Sequence, residues 1–567
     1  MNTVSTLARW HGLGLVCSIA LLPELARPAL SADPEFRGMW VTRFEWPNPT
    51  NAISTQNNIN TFFNNLQTHR FNAVVFQVRG QMDTFYPSPY EPWASAISSD
   101  GETSNWGSFD ALAFAINAAH TRGLEFHAYI NTHVCWQGTS PPNYAPPGSA
   151  KPHPYWSHFN AADPDAQDWL IHDNTGTPVQ TEESNYVWAA PGVPDFQAYT
   201  RRQVMYVVEN YDVDGVHFDR IRLPGPEYSY DPISQARRLG AGNPHGLTFE
   251  NWTRDQITRM LRDLYAQIME VKPWIKVSSA PLGLYRAERY AGYPPGICDF
   301  QYGYSCAYQD AQAWIAAGAM DFIVPQIYWA DGGSNPDFSE VFPDWVANDA
   351  GRHIVAGQIR SANVSITEIL SQINITRAGG GFGNVVFSYG SINNNNNWSS
   401  YSSPGGPYEE TAEAPGMPWK DTPTQGISIG NVTGPDHATP VVDSQITRTG
   451  SSYVALSSGD GLYSFLLVDP GTYSLTLQKA CAQDRVVTDV SVVAGQVTRV
   501  DVALMPETFG DYDLDCDVDI ADYTDFESCL GGPGSGPVAP ECEAFDADAD
   551  DDVDLQDAAA LGISFTG

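Results

Sequence analysis

Basic residues are scarce in this sequence. Its 567 residues carry 29 Lys and Arg against 66 Asp and Glu, a formal charge of −37. So acidic a chain repels phosphate backbones and anionic lipid surfaces, which argues against nucleic acid or a charged membrane as partner. Long apolar runs are also lacking. The best, Leu13–Leu22, is shorter than the roughly 20 residues of a spanning helix. It follows Arg9 and His11 and precedes the small residues Ala29, Ser31 and Ala32. Residues 1–32 therefore read as an export signal, and the chain is expected to be secreted or to reach the cell envelope. The eight cysteines (17, 135, 298, 306, 481, 516, 529 and 542) contain no C-x-x-C pair, which speaks against structural zinc. In an oxidising compartment Cys298 and Cys306 are near enough to pair, as are Cys529 and Cys542.

What the sequence does have is enough apolar and aromatic residues, 42% and 12%, to fold into several domains rather than stay disordered. From 37 to 390, eight β-rich runs alternate with helical patterns: 37–44, 72–79, 125–131, 213–219, 276–280, 321–329, 353–359 and 384–389. The helical patterns cover 55–69, 109–122, 195–210, 249–271, 311–318 and 365–377. Such alternation predicts an α/β fold, a closed (β/α)8 TIM barrel over 33–418 with its site at the C-terminal ends of the strands. A long insertion, 134–194, falls between the third and fourth strands. The Asn-, Ser-, Gly- and Pro-rich stretch 393–418 reads as a linker, which implies a barrel able to stand alone.

Residues 419–507 change to short alternating runs broken by Gly-Asp-Gly and Asp-Pro-Gly turns, the pattern of a small C-terminal β-sandwich. From 511 to 567 there are 17 acidic residues and no Lys or Arg. They are spaced. Asp511, Asp513, Asp515, Asp519 and Asp522 occupy positions 1, 3, 5, 9 and 12 of a loop, and Asp546, Asp548, Asp550, Asp554 and Asp557 repeat it 35 residues on. Oxygen ligands at those positions, with Val518 and Val553 at position 8, are what a Ca2+ loop needs. Position 6, usually Gly, is Cys516 in one loop and Asp551 in the other.

The expected strand ends are polar. They offer Glu45, Gln77, Arg79, Asp83, His127, Asn131, His133, His217, Asp219, Gln326, Tyr328 and Trp329. His217 and Asp219 alternate onto one face. Three histidines at adjacent strand ends would suit zinc, although their spacing matches no metal motif, and hydrogen bonds to sugar hydroxyls are the better reading. Trp46, Trp93, Trp136, Tyr328 and Trp329 suit stacking on pyranose rings.

The segments RGMWVTRFEWP, FNAVVFQVRGQMDTFYPSPYEPW, FDALAFAINAAHTRGLEFHAYIN, DVDGVHFDRIRLP, NWTRDQI and DFIVPQIYW, in that order over about 35–390, resemble the bacterial glycosyl-hydrolase-like family 10. That resemblance implies a secreted or envelope barrel acting on glycans, including peptidoglycan strands in some members; no cofactor is expected for catalysis. The family usually has two acids at the end of strand four; here Arg220 replaces the second. The same stretch is similar to α-amylase-type barrels, whose last Asp is the nucleophile, so Asp219 is expected in that role with Arg79 and Arg220 keeping it ionised. A second carboxyl is required; Glu45 leads, then Asp83, Glu182 and Glu183. Gln77, Arg79, His127, Asn131, His217, Gln326, Tyr328 and Trp329 are expected to bind substrate. The competing reading is a glycan-binding scaffold without catalysis. Gly459–Tyr463 with Pro470–Tyr473 resembles carboxypeptidase-regulatory-like modules. The Asp loops resemble dockerins, which implies a docking partner or surface.

Overall fold

The computed structural model describes residues 33–290, 298, 302–332 and 336–566. The export signal expected at 1–32 lies outside them. Eight parallel strands form a ring: β1 (Phe36–Val41), β2 (Ala73–Arg79), β3 (Glu125–Asn131), β4 (Gly215–Asp219), β5 (Lys276–Ser279), β6 (Phe322–Ile323), β7 (His353–Ile354 and Ala356–Ile359) and β8 (Gly383–Phe387). Each pairs with the next. The first piece of β7 pairs with β6, the second with β8, and β8 returns to β1. The ring is the expected TIM-type barrel.

The outer layer is built from α1 (Ala52–Thr68), α2 (Ala111–His120), α3 (Pro194–Asn210), α4 (Phe249–Val271), α5 (Ala311–Ala316), α6 (Phe338–Val346) and α7 (Ile366–Ala378). Local chemistry explains them. In α1, the Asn51 side chain caps Ser54 N–H, and Thr55, Ile59, Phe63 and Leu66 form one buried stripe. The sequence pattern missed α6, which carries Pro343 inside it, a residue that normally argues against a helix.

Phe36, Trp40, Val75, Tyr129, Phe322, Val324 and Val385 fill the barrel's interior. Gly215 is required there, since a Cβ would lie 2.2 Å from His127 Nδ1.

The stretch read as a linker is a strap. Tyr389–Asn394 and Trp398–Ser402 are helical, and Trp398, Tyr401, Tyr408 and Met417 are buried. It crosses the N-terminal end of the strands, where Arg37 donates to Glu410 O (2.5 Å) and Asn72 to Ala412 O (3.0 Å). Its polar composition masked these spaced apolar anchors.

Residues 426–503 form two four-stranded sheets that share an apolar core including Ile446, Phe465, Leu475 and Leu504. They pack on the barrel's helices. Ile429, Leu462 and Leu466 join the core beneath those helices. Buried Arg201 of α3 reaches Ser458 and Asp460, and buried Asp263 of α4 accepts from Ser464 Oγ (2.7 Å). A chain cut at 418 would leave both groups without those partners.

Helices Ile520–Cys529 and Leu555–Ser564 follow the two acidic loops, each opened by a capping box, Asp519/Asp522 and Asp554/Asp557. Disulfides join Cys298 to Cys306 and Cys529 to Cys542, the pairs expected from spacing. A third, Cys481–Cys516, was not legible in the sequence and ties the first acidic loop to the sheets. Cys135 remains a buried thiol.

Candidate functional site

The last residue of β4 carries the site. Asp219 is half-buried at the C-terminal end of the barrel. Its Oδ2 accepts from the Tyr129 hydroxyl (2.8 Å); its Oδ1 accepts from Arg220 N–H (2.7 Å) and Gln326 Nε2 (3.2 Å). Arg220 takes a left-handed backbone, φ 55°, which turns the chain out of the strand. Burial, then the charge of Asp219, pushes the Tyr129 and Tyr328 phenols well above their ordinary range. Both stay neutral hydroxyls at any working pH.

Beneath lies a neutral layer. The ring of His217 is fully buried, with Nε2 accepting from Trp40 Nε1 (3.2 Å) and Nδ1 2.9 Å from Ser278 Oγ. Burial, reinforced by His127, pushes its pKa down to about 3. His217 thus shares the face of Asp219, as alternation requires, yet supports the floor instead of touching a ligand in the mouth.

One wall is an arginine cluster. The antiparallel pair Val134–Gln137 and Tyr186–Trp188 stands over the mouth, and Arg220 lies on the rings of Tyr186 and Trp188 (4.6 and 5.7 Å). Glu183 accepts from Arg220 (3.0 Å) and from both Arg222 nitrogens (2.6 and 2.8 Å). Burial alone would raise its carboxyl, but the two arginines outweigh it and hold Glu183 below its ordinary range. A carboxyl kept ionised is in the wrong state for a general acid.

Several residues expected in the mouth lie elsewhere. Arg79 is fully buried in a two-pronged pair with Glu91 (2.8 and 2.6 Å) and also donates to Asn131 O (2.5 Å), so it does not hold Asp219 ionised. His127 lies lower in the barrel, 0% exposed, between Phe36 and Phe322 and 3.1 Å from Glu125. His133 is buried against Phe196, its pKa lowered by burial to about 3. The three histidines do not converge, and the acidic groups close enough to hold a metal, among the described residues, all lie between 511 and 557. Gln77 is buried, accepting from Arg43 N–H (3.0 Å), and buried Asn131 donates to Gly80 O (2.8 Å). Asp83 is buried and accepts from Tyr144 (3.0 Å) and Ser95 N–H (3.3 Å). Glu45 accepts from Thr42 N–H (2.7 Å), Thr42 Oγ1 (3.0 Å), Ser388 Oγ (2.6 Å) and Gly390 N–H (2.6 Å), a tie between the ends of β1 and β8. Trp46 and Trp93 are core, and Trp136 donates to Ser140 O (2.9 Å). Gln326 touches Asp219, while Tyr328 and Trp329 are half-buried on the same strand end. Tyr129 escaped notice, although His127, Tyr129 and Asn131 alternate onto one face and could have signalled it.

The acidic loops fold back on themselves. Oxygens of Asp511, Asp513 and Asp522 lie within 4.8 Å of one another, as do those of Asp546, Asp548 and Asp557. The first loop closes with Asp515 N–H donating to Asp511 Oδ1 (3.0 Å), and Asp550 N–H donating to Asp546 Oδ1 repeats it in the second (3.2 Å). Buried Asp511 Oδ2 has no protein partner among the described residues. Cys516 and Asp551 both take the left-handed conformation that position 6 demands, φ 86° and 77°. Asp515 and Asp550 lie in these loops, while Asp519 and Asp554 cap the helices that follow and also bring an oxygen within 4.8 Å of Asp517 and Asp522, and of Asp552 and Asp557, respectively.

Residues 35–372 match the family described as Glycosyl hydrolase-like 10. Glycosyl hydrolase YngK of Bacillus subtilis is 27% identical over 412 residues, 69% of this chain and 75% of that protein. Glycosyl hydrolase DigH of Escherichia coli K12 is 26% identical over 362 residues, 59% of this chain and 77% of that protein. The solved glycoside hydrolase domain of PgaB from Bordetella bronchiseptica aligns at a TM-score of 0.45 and 12% identity, over 65% of this chain and 97% of that domain. The family match covers more than half of the sequence, so the chain belongs to the glycosyl hydrolase-like 10 family and to the glycoside hydrolase class that the resemblance implied.

Proposed function

We propose that this chain is a secreted hydrolase of a polysaccharide or peptidoglycan-type glycan, with Asp219 as the carboxylate that attacks, or electrostatically stabilises, an oxocarbenium-like transition state. The observation that carries this reading is the three-donor grip on Asp219 by Tyr129, Gln326 and the Arg220 backbone. Fixed donors hold the carboxylate in one orientation, so no reorganisation is needed as charge develops on the sugar. The leaving group needs a proton from a second carboxyl. Of the four the sequence offered, Glu45 has both oxygens saturated, Asp83 is buried, and Glu183 is held ionised. Glu182, half-buried in the insertion after β3 and hydrogen-bonded to the Tyr228 hydroxyl, is the one left for the role of acid. A glycan-release screen with polysaccharides and denuded peptidoglycan tests the reading. Release by the wild-type chain and its loss in Glu182→Gln and Asp219→Asn support it; no release from any substrate contradicts it.

The same proposal covers the rest of the chain: an accessory sandwich of the carboxypeptidase-regulatory-like kind over 419–507 and a dockerin-like Ca2+ module over 508–567. The clustered Asp oxygens and the orphaned Asp511 Oδ2 fit a hard cation. Asp511, Asp513 and Asp522 would hold one ion, and Asp546, Asp548 and Asp557 the other. Ca2+ neutralises their mutual repulsion when bound. A module so folded would dock to a protein partner or a surface.

A further inference from the structure

A groove of about 840 Å³ runs along the outside of the barrel, where α3, the loop after β3 and the small sheets meet. That volume is in the range of ligand sites. It is lined by Tyr90, 41% exposed, and by the half-buried rings of Tyr199 and Tyr206. The hydroxyls of the latter two are spent on the protein, Tyr199 on Glu91 Oε1 (2.7 Å) and Tyr206 on Pro87 O (2.8 Å). Both rings are therefore fixed. Arg202 is exposed beside them, its guanidinium carbon 4.8 Å from the Tyr90 ring centre and 5.5 Å from that of Tyr199. Among the described residues the neighbouring Arg201 has a carboxylate partner, and Arg202 forms no such ion pair.

The remaining charges leave the groove slightly acidic. Arg499 pairs with Glu270 and Asp460 with Arg201, which leaves Arg202 against Asp195 and Glu209. We propose that this groove is a second glycan-binding site, holding an uncharged stretch of the polysaccharide cleaved in the mouth; it rests on the hydrolase reading above. Aromatic rings of fixed orientation take the C–H faces of pyranoses. Arg202, Asp195, Glu209 and Gln267 supply donors and acceptors for the ring hydroxyls. A polyanionic chain would meet the repulsion of a protein charged −37. Neither Tyr90 nor Arg202 touches Asp219 or its partners, so binding here is separable from chemistry in the mouth.

The test uses the full chain in gels containing a neutral β-glucan, mannan or xylan, with polygalacturonate as the polyanion. Wild type should be retarded by at least one neutral polymer and not by polygalacturonate. Tyr90→Ala and Arg202→Ala should each weaken retardation about three- to tenfold, the worth of a stacking contact. Both should cleave a short oligosaccharide at the wild-type rate, whereas Asp219→Asn should keep the retardation and lose cleavage. Retardation unchanged in both groove variants, or no neutral polymer retarding wild type, overturns the second site even where cleavage persists. Absence of cleavage by wild type overturns the hydrolase reading instead.

Discussion

Tyr129 donates to Asp219 Oδ2 at 2.8 Å, across the seam between β3 and β4. Register places Tyr129 beside His217, the residue beneath Asp219 on the same face. A hydrogen bond to a charged acceptor contributes about 1.5–3 kcal/mol. Tyr129→Phe should therefore lower kcat about ten- to hundredfold with KM little changed and melting temperature nearly intact. An equal loss in kcat and in folded fraction would show that Tyr129 only fills the barrel.

Arg79 gives the opposite expectation. It and Glu91 are both fully buried and joined by two short contacts. Removing one partner of such a pair costs about 3–5 kcal/mol, because the other charge is left unpaired. Arg79→Met should unfold at markedly lower denaturant concentration, while its folded fraction keeps wild-type glycan affinity. Wild-type stability with weakened substrate binding would return Arg79 to the mouth.

Asp263 links pH to the seam between barrel and sheets. Burial raises its carboxyl pKa to about 6, with Asp460 adding to the rise and Arg201, Ser464 and Arg259 opposing it. A carboxyl with a raised folded pKa binds its proton more tightly in the native state, so stability falls as pH rises from about 4 through 6. Asp263→Asn keeps an acceptor for Ser464 without the buried charge. Its melting temperature should match wild type near pH 4 and exceed it at pH 8. Equal melting at both values would contradict this assignment.

Cys516 is held in a left-handed conformation, φ 86°, and bonded to Cys481, whereas the second loop has Asp551 at that position, φ 77°. Titration of the full chain with Ca2+ should show two sites. Cys481→Ser should weaken the first site alone, since the covalent restraint on its position 6 is gone, and Asp557→Ala should remove the second alone. Absence of Ca2+ binding, or equal weakening of both sites in Cys481→Ser, would contradict the reading of the loops.

The barrel was legible because alternation of eight strands with apolar-striped helices survives in the sequence, and Asp219 because a polar strand end has no packing reason to be polar. Depth in the barrel was not legible. His127, His217 and Asp219 have similar sequence signatures, yet they lie at successive heights along the barrel axis, and only the last reaches solvent. Nor did charge reveal its partner: Arg79 is spent on Glu91, twelve residues on, and Glu45 on the end of β8. Cys481–Cys516 joins two segments whose contact depends on how the sheets meet the acidic loops, which spacing alone does not encode. The strap at 393–418 was hidden by its Asn and Ser content.

The most direct test is glycan release by Asp219→Asn beside wild type, on the substrate that wild type cleaves. The substitution removes the charge and nearly keeps the shape, so Tyr129 retains an acceptor. The account predicts a loss of turnover by orders of magnitude with melting temperature and glycan binding retained. Full turnover in a well-folded Asp219→Asn chain would contradict it.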